Sequence, residues 1–143
     1  MSSPKVYTGS CLCGNIKIRV EGENIRSTAC HCTTCQKWTG AMFGFFVGYK
    51  TEQVELTFSS PDAMKMYEKQ ADSGRHLQHS FCGTCGSPVG IGIKEIPGQW
   101  AVPVGMLEDK SGIKPTVEVF CRNRADWIDE IEGVKAFDTM PQK

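Results

Sequence analysis

Cys11-Leu12-Cys13-Gly14-Asn15-Ile16-Lys17-Ile18-Arg19-Val20 sets two cysteines one residue apart, directly ahead of an alternation of apolar and charged residues. Alternation with period two marks a half-buried β-strand, because successive side chains leave a strand on opposite faces. In extended backbone, Cys11 and Cys13 present both sulfurs to one side while Leu12 turns toward the core. Such a pair is half of a tetrahedral metal site.

Working outward, short runs of strand character recur at residues 54–58, 64–68 and 117–120, with turn-forming residues between many of them. Residues 42–49 and 89–93 are apolar or glycine-interrupted, which suits strands pressed against another backbone, and residues 100–104 add one more. Helix is confined to residues 33–40, where Gly40 suits the cap, and residues 126–132, ahead of Gly133. The expectation is a mainly β chain, a compact sheet with one or two short helices, forming a single domain over residues 5–141 with loose ends.

The chain has 143 residues, in which sixteen Lys and Arg balance sixteen Asp and Glu. That balance lacks the basic footprint of a nucleic-acid binder or of a protein held to an anionic membrane. The longest apolar stretch, residues 41–47, is far short of the roughly 20 residues of a membrane helix. Residues 1–7 have no signal-peptide core, so a cytoplasmic protein is expected. In a reducing compartment clustered cysteines point to metal rather than to disulfides.

Seven of the eight cysteines are clustered: Cys11 and Cys13, then Cys30-His31-Cys32-Thr33-Thr34-Cys35, then Cys82-Gly83-Thr84-Cys85-Gly86. Cys82 and Cys85 have a common zinc-ligand spacing, and Gly83 and Gly86 permit the tight backbone that aims amide N–H groups at sulfur. Joined to Cys11 and Cys13 they make a closed four-thiolate shell. Cys30, Cys32 and Cys35 remain, and three protein ligands with one open position distinguish catalytic from structural zinc. Spacing alone leaves open another division, in which the middle cluster recruits one arm and the other stays a redox pair.

Gly9-Ser10-Cys11-Leu12-Cys13-Gly14, Cys30-His31-Cys32-Thr33-Thr34-Cys35-Gln36-Lys37 and Phe81-Cys82-Gly83-Thr84-Cys85-Gly86-Ser87 resemble, in order and spacing, the glutathione-dependent formaldehyde-activating enzyme family, which includes centromere protein V. A weaker resemblance continues through Phe120-Cys121-Arg122-Asn123-Arg124-Ala125-Asp126-Trp127 to Pro141. It implies a β-sheet zinc fold related to the B-type methionine sulfoxide reductases. It implies two zinc ions per chain, a structural one on Cys11, Cys13, Cys82 and Cys85 and a catalytic one on Cys30, Cys32 and Cys35. The implied activity is a carbon–sulfur lyase joining glutathione, a small-molecule thiol, to formaldehyde as S-hydroxymethylglutathione. Glu118 and His79 stand where many relatives carry histidine and arginine, so the resemblance implies a changed pocket if they line it. The alternative is a non-catalytic zinc module that mediates a protein interaction.

Other residues carry a plainer reading beside the functional one. His31 faces away from the thiols if Cys30 and Cys32 share a strand face, which suits packing or hydrogen bonding. His76 and His79, three apart on a strand, fall on opposite faces and read as surface or satisfied histidines. Cys121 reads as a small hydrophobe in a strand-like run. Lys37, Arg75, Arg122 and Arg124 are ordinary charges or partners for glutathione carboxylates. Trp38, Phe43, Phe45 and Phe46 are core or the walls of a pocket.

Overall fold

A computed structural model describes residues 5–141; the loose ends expected of the outermost residues lie outside the described residues. Two sheets organise the chain. The first, of three strands, has the order β1-β2-β5, with β1 Val6–Ser10, β2 Ile16–Glu21 and β5 Val54–Phe58. The second has eight: β3 Arg26–Cys30, β4 Gly44–Lys50, β6 Met64–Gln70, β7 His76–Cys82, β8 Pro88–Ile93, β9 Ile96–Pro103, β10 Val117–Val119 and β11 Lys135–Ala136. Their order across the sheet is β11-β10-β3-β4-β9-β8-β7-β6. Pairing is antiparallel except where β10 runs parallel to both β3 and β11. The single α-helix among the described residues, α1 Thr33–Thr39, follows β3 and ends at Gly40 in the left-handed region.

The alternation of β2 is realised as expected, with Ile16, Ile18 and Val20 buried and Lys17 and Arg19 exposed. These side chains join Val47, Tyr49, Val89 and Val102 of the large sheet in the main core. Phe46, one residue from Val47, points to the opposite face with Cys30, Cys35 and Val119, where Trp38 and Phe137 cover it. The large sheet is thus clothed on both faces, by the small sheet on one and by α1 with the C-terminal segment on the other.

Val89 joins the main core because the β7–β8 ladder contains a bulge: Phe81 pairs with Pro88 and Ser80 with Gly90, leaving Val89 as the extra residue. Gly90 is required next to it, since a Cβ there would lie inside the Trp100 indole.

Two expectations need correction, and some strands carried no pattern that predicts them. Residues 126–132 form turns and irregular backbone rather than a helix. The Ile131 N–H is taken by the buried Glu118 carboxylate at 3.3 Å, so it is unavailable to a helical ladder. Strand β10 stops at Val119 because Phe120 adopts φ 55°, and Cys121 therefore opens a 3-10 turn instead of continuing a strand. Strands β1, β3 and β7 were not marked by hydrophobic alternation; β3 reads Arg-Ser-Thr-Ala-Cys and β7 is rich in His and Gln.

Candidate metal centres and the adjoining cavity

Cys11 and Cys13 lie in the turn joining β1 to β2, while Cys82 ends β7 and Cys85 lies in the turn that leads on to β8. The four sulfurs lie within 4.8 Å of one another. Cys13 Sγ is 3.7 Å from both Cys11 Sγ and Cys82 Sγ. A regular tetrahedron with metal–sulfur bonds of about 2.3 Å has edges of about 3.8 Å. The donor set and spacing therefore fit a soft tetrahedral cation, and such an ion would tie the small sheet to the large one.

Hydrogen bonds prepare the shell. Ile16 N–H points at Cys11 Sγ at 3.3 Å and Thr84 N–H at Cys82 Sγ at 3.4 Å. Ser87 joins the two turns, accepting from Leu12 N–H at 3.0 Å while its hydroxyl lies 3.2 Å from Cys85 Sγ. The Ser87 hydroxyl and then its amide draw the Cys85 thiol down to about 5. Gly86, at φ 77°, supplies the left-handed residue of the turn, and its N–H closes onto Cys82 C=O at 2.9 Å. The expected orientation of Leu12 fails: the Cys11–Cys13 segment is a turn, not extended, and Leu12 is 88% exposed. A turn brings the sulfurs of residues i and i+2 together as readily as a strand does but throws the middle side chain outward.

Cys30 ends β3, Cys32 is the N-cap of α1 and Cys35 lies in its first turn. Their sulfurs also lie within 4.8 Å of one another, and among the described residues this group has three members. The Cys35 N–H donates to Cys32 Sγ at 3.2 Å. Hydrogen bonds from the Cys30 and Cys35 thiols hold Cys32 far below an ordinary thiol, while Cys30 is pushed up to about 12 chiefly by its bond to Cys32. All eight cysteines are free thiols, so both groups could hold a metal ion.

The trio rests on a buried polar network. His31, between two of the thiols, is 1% exposed, and its Nε2 lies 2.8 Å from Glu118 Oε2. Arg124 Nη2 donates to Glu118 Oε1 at 3.0 Å and to Cys121 Sγ at 3.3 Å. Burial alone would raise the Glu118 pKa. Hydrogen bonds from His31, the Ile131 amide and Arg124 outweigh it and hold the carboxyl below the ordinary range. An ionised carboxylate is an acceptor only, so His31 keeps its proton on Nε2. His31 takes the hydrogen-bonding role expected of it, whereas the burial of Glu118 could not be read from its neighbours in sequence.

Glu118→Ala is expected to cost about 3–5 kcal/mol in urea unfolding, because it leaves His31 Nε2 and the Ile131 amide without their acceptor and takes from Arg124 its nearer carboxylate. A depressed carboxyl contributes stability above its unfolded pKa of about 4.3 and loses it as pH falls through the lower folded value. Wild type should therefore lose more stability than the variant on acidification below about pH 4.

The remaining residues separate clearly. His76 is partly exposed against Glu95, with Nδ1 to Oε1 at 3.2 Å. His79 departs from the expectation of a surface or satisfied histidine: it is 2% exposed and its Nδ1 has no hydrogen-bond partner. Arg124 is committed to Glu118, Arg75 and Arg122 are exposed, and Lys37 lines a cavity of about 350 Å³ beside α1. Trp38 walls that cavity, stacked on Phe46 at 6.1 Å between ring centroids. Phe43, Phe45 and Phe46 border a second cavity of about 500 Å³, which reaches Leu12 and Ser87.

Comparison with protein families matches residues 6–123 to the glutathione-dependent formaldehyde-activating enzyme family, a span that contains all seven clustered cysteines. The chain belongs to this family. The match to the formaldehyde-activating family includes both Glu118 and His79. No curated protein matches the chain. Among solved structures it is similar to the crystal structure of a Rhodobacter sphaeroides protein determined as a structural-genomics target. That likeness has a TM-score of 0.57 at 19% identity and covers 91% of this chain and 98% of the other. At that identity the likeness speaks for the fold alone. Among the described residues no helix is long and apolar enough to cross a membrane.

Proposed function

We propose that the chain is a zinc-dependent carbon–sulfur lyase-type enzyme that adds a small thiol, most directly glutathione, to formaldehyde, and that it carries two zinc ions. Cys11, Cys13, Cys82 and Cys85 hold the structural ion, and Cys30, Cys32 and Cys35 hold the catalytic one. The observation that carries this reading is the trio itself: three gathered thiols beside a cavity, with no fourth side chain of the described residues in the group. Zinc there supplies a centre that favours the thiolate form of an incoming thiol and keeps its sulfur in place.

The chain's own residues do the rest. The N-cap geometry of Cys32 and the first turn of α1 fix two of the three ligands on one short rigid element. His31, held by Glu118 and Arg124, anchors the backbone between Cys30 and Cys32. Phe46 and Trp38 limit water around the sulfurs. In the reaction the sulfur lone pair attacks the formaldehyde carbon, a carbon–sulfur bond forms, and the thiol proton ends on the former carbonyl oxygen. The reverse direction breaks the same bond, and neither needs an oxidant.

Cobalt-substituted protein is expected to gain sulfur-to-metal charge-transfer absorbance on titration with glutathione and to retain the fold throughout. An unchanged spectrum would count against thiol coordination. It would favour the second reading, a zinc module that binds a protein partner, for which the exposed Leu12, Met42 and Phe43 offer an apolar surface. A reductase using Cys121, as a kinship with the B-type methionine sulfoxide reductases would suggest, is less well supported, since burial pushes that thiol up. A single domain over residues 5–141 and a cytoplasmic location, where thiols stay reduced, belong to the same proposal.

A further inference from the structure

Thr34, Lys37 and Trp38 of α1, Tyr67 and Lys69 of β6, and His79 of β7 meet around the cavity of about 350 Å³. The register explains the grouping. Tyr67 lies directly across from His79, and Lys69, two residues along, is on the same face of β6. The Trp38 ring stands edge-on to the His79 imidazole at 4.8 Å between centroids. The walls are therefore aromatic, while two ammonium groups belong to the lining.

Neither lysine has a carboxylate within ion-pair distance among the described residues. Lys69 Nζ donates to Thr34 Oγ1 at 2.7 Å, which holds the cation against α1. His79 also lines the cavity, and its imidazole makes no hydrogen bond to the described residues. Thr33 and Thr34, which also line the cavity, lie between Cys32 and Cys35, so the cavity adjoins the open trio. Two unpaired cations, an imidazole and aromatic walls together suit a carboxylate carried on a short organic chain.

We infer that this cavity is the carboxylate subsite of the thiol substrate, selecting an acidic, peptide-like thiol over a neutral one. The inference rests on the reading of the trio as the thiol-binding site. Lys37 and Lys69 flank the carboxylate, the His79 imidazole lies beside it, and Trp38 and Tyr67 cover the intervening chain. His79 and the two lysines are then specificity-determining residues.

S-methylglutathione keeps both carboxylates but has no free thiol, so it probes the subsite without the metal chemistry. In calorimetric titrations of the zinc-loaded protein, wild type is expected to bind it with an affinity that falls as salt rises. The affinity should drop at least tenfold for its diethyl ester, and as much in Lys37→Gln and Lys69→Gln proteins whose melting curves match wild type. Absent binding, equal affinity for acid and ester, or unchanged affinity in both lysine variants would overturn the inference. If S-methylglutathione binding depends on the lysines while free glutathione leaves the cobalt spectrum unchanged, the thiol-coordination reading fails and the subsite stands.

Discussion

Cys82→Ala is expected to abolish cooperative folding. Cys82 is buried at the end of β7, inside the main core, and its sulfur lies 3.7 Å from Cys13, across the junction of the two sheets. Binding of structural zinc contributes about 10–16 kcal/mol in small zinc domains, and that free energy is folding free energy. A domain's whole net stability is about 5–15 kcal/mol. Losing one of four thiolates opens this shell and removes a large share of a quantity comparable with the chain's whole net stability. The cavity left in the core adds to the loss. Thermal unfolding followed by circular dichroism should show no cooperative transition near that of wild type, with or without added zinc. A Cys82→Ala protein melting within a few degrees of wild type would refute a structural role for the four-cysteine group.

Cys32→Ser should do the opposite: leave the fold and remove the chemistry. Serine is among the best N-cap residues, so it can replace the bond that Cys35 N–H makes to Cys32 Sγ, and α1 keeps its first turn. A hydroxyl is a poor ligand for a soft cation, and the trio is reduced to two thiolates. Expected are a melting temperature within about 5 °C of wild type, the loss of one zinc per chain, and no spectral response to glutathione. Thiol-dependent activity should fall by at least 10³-fold, since the sulfur is no longer activated or held. If both substitutions unfold the protein to the same extent, the division of labour between the two groups is wrong.

How much of this was legible in the sequence differs from residue to residue. Ile16, Ile18 and Val20 announced β2 because one face of that strand meets a core and the other meets water. The cysteine groups were legible because ligand spacing is a local property. Strand β3 was not, since Ser27 and Thr28 owe their place to pairing with β4 and β10 rather than to any pattern of their own. The helix expected over residues 126–132 failed for a related reason, as Glu118 captures the Ile131 amide from a distant strand. Leu12 was misplaced because a turn, not a strand, carries Cys11 and Cys13. At the candidate site the ligands were visible, but their support was not. Glu118 and His79 are polar residues whose burial depends on what α1 and the C-terminal segment lay over them.

The most direct test of one closed and one open site is native mass spectrometry of zinc-replete protein, recorded with and without glutathione. Two zinc ions per chain, with one glutathione bound per chain and markedly weaker binding in the Cys32→Ser protein, is the predicted result. One zinc per chain that does not increase on adding zinc, or two zinc ions and no glutathione, would contradict it.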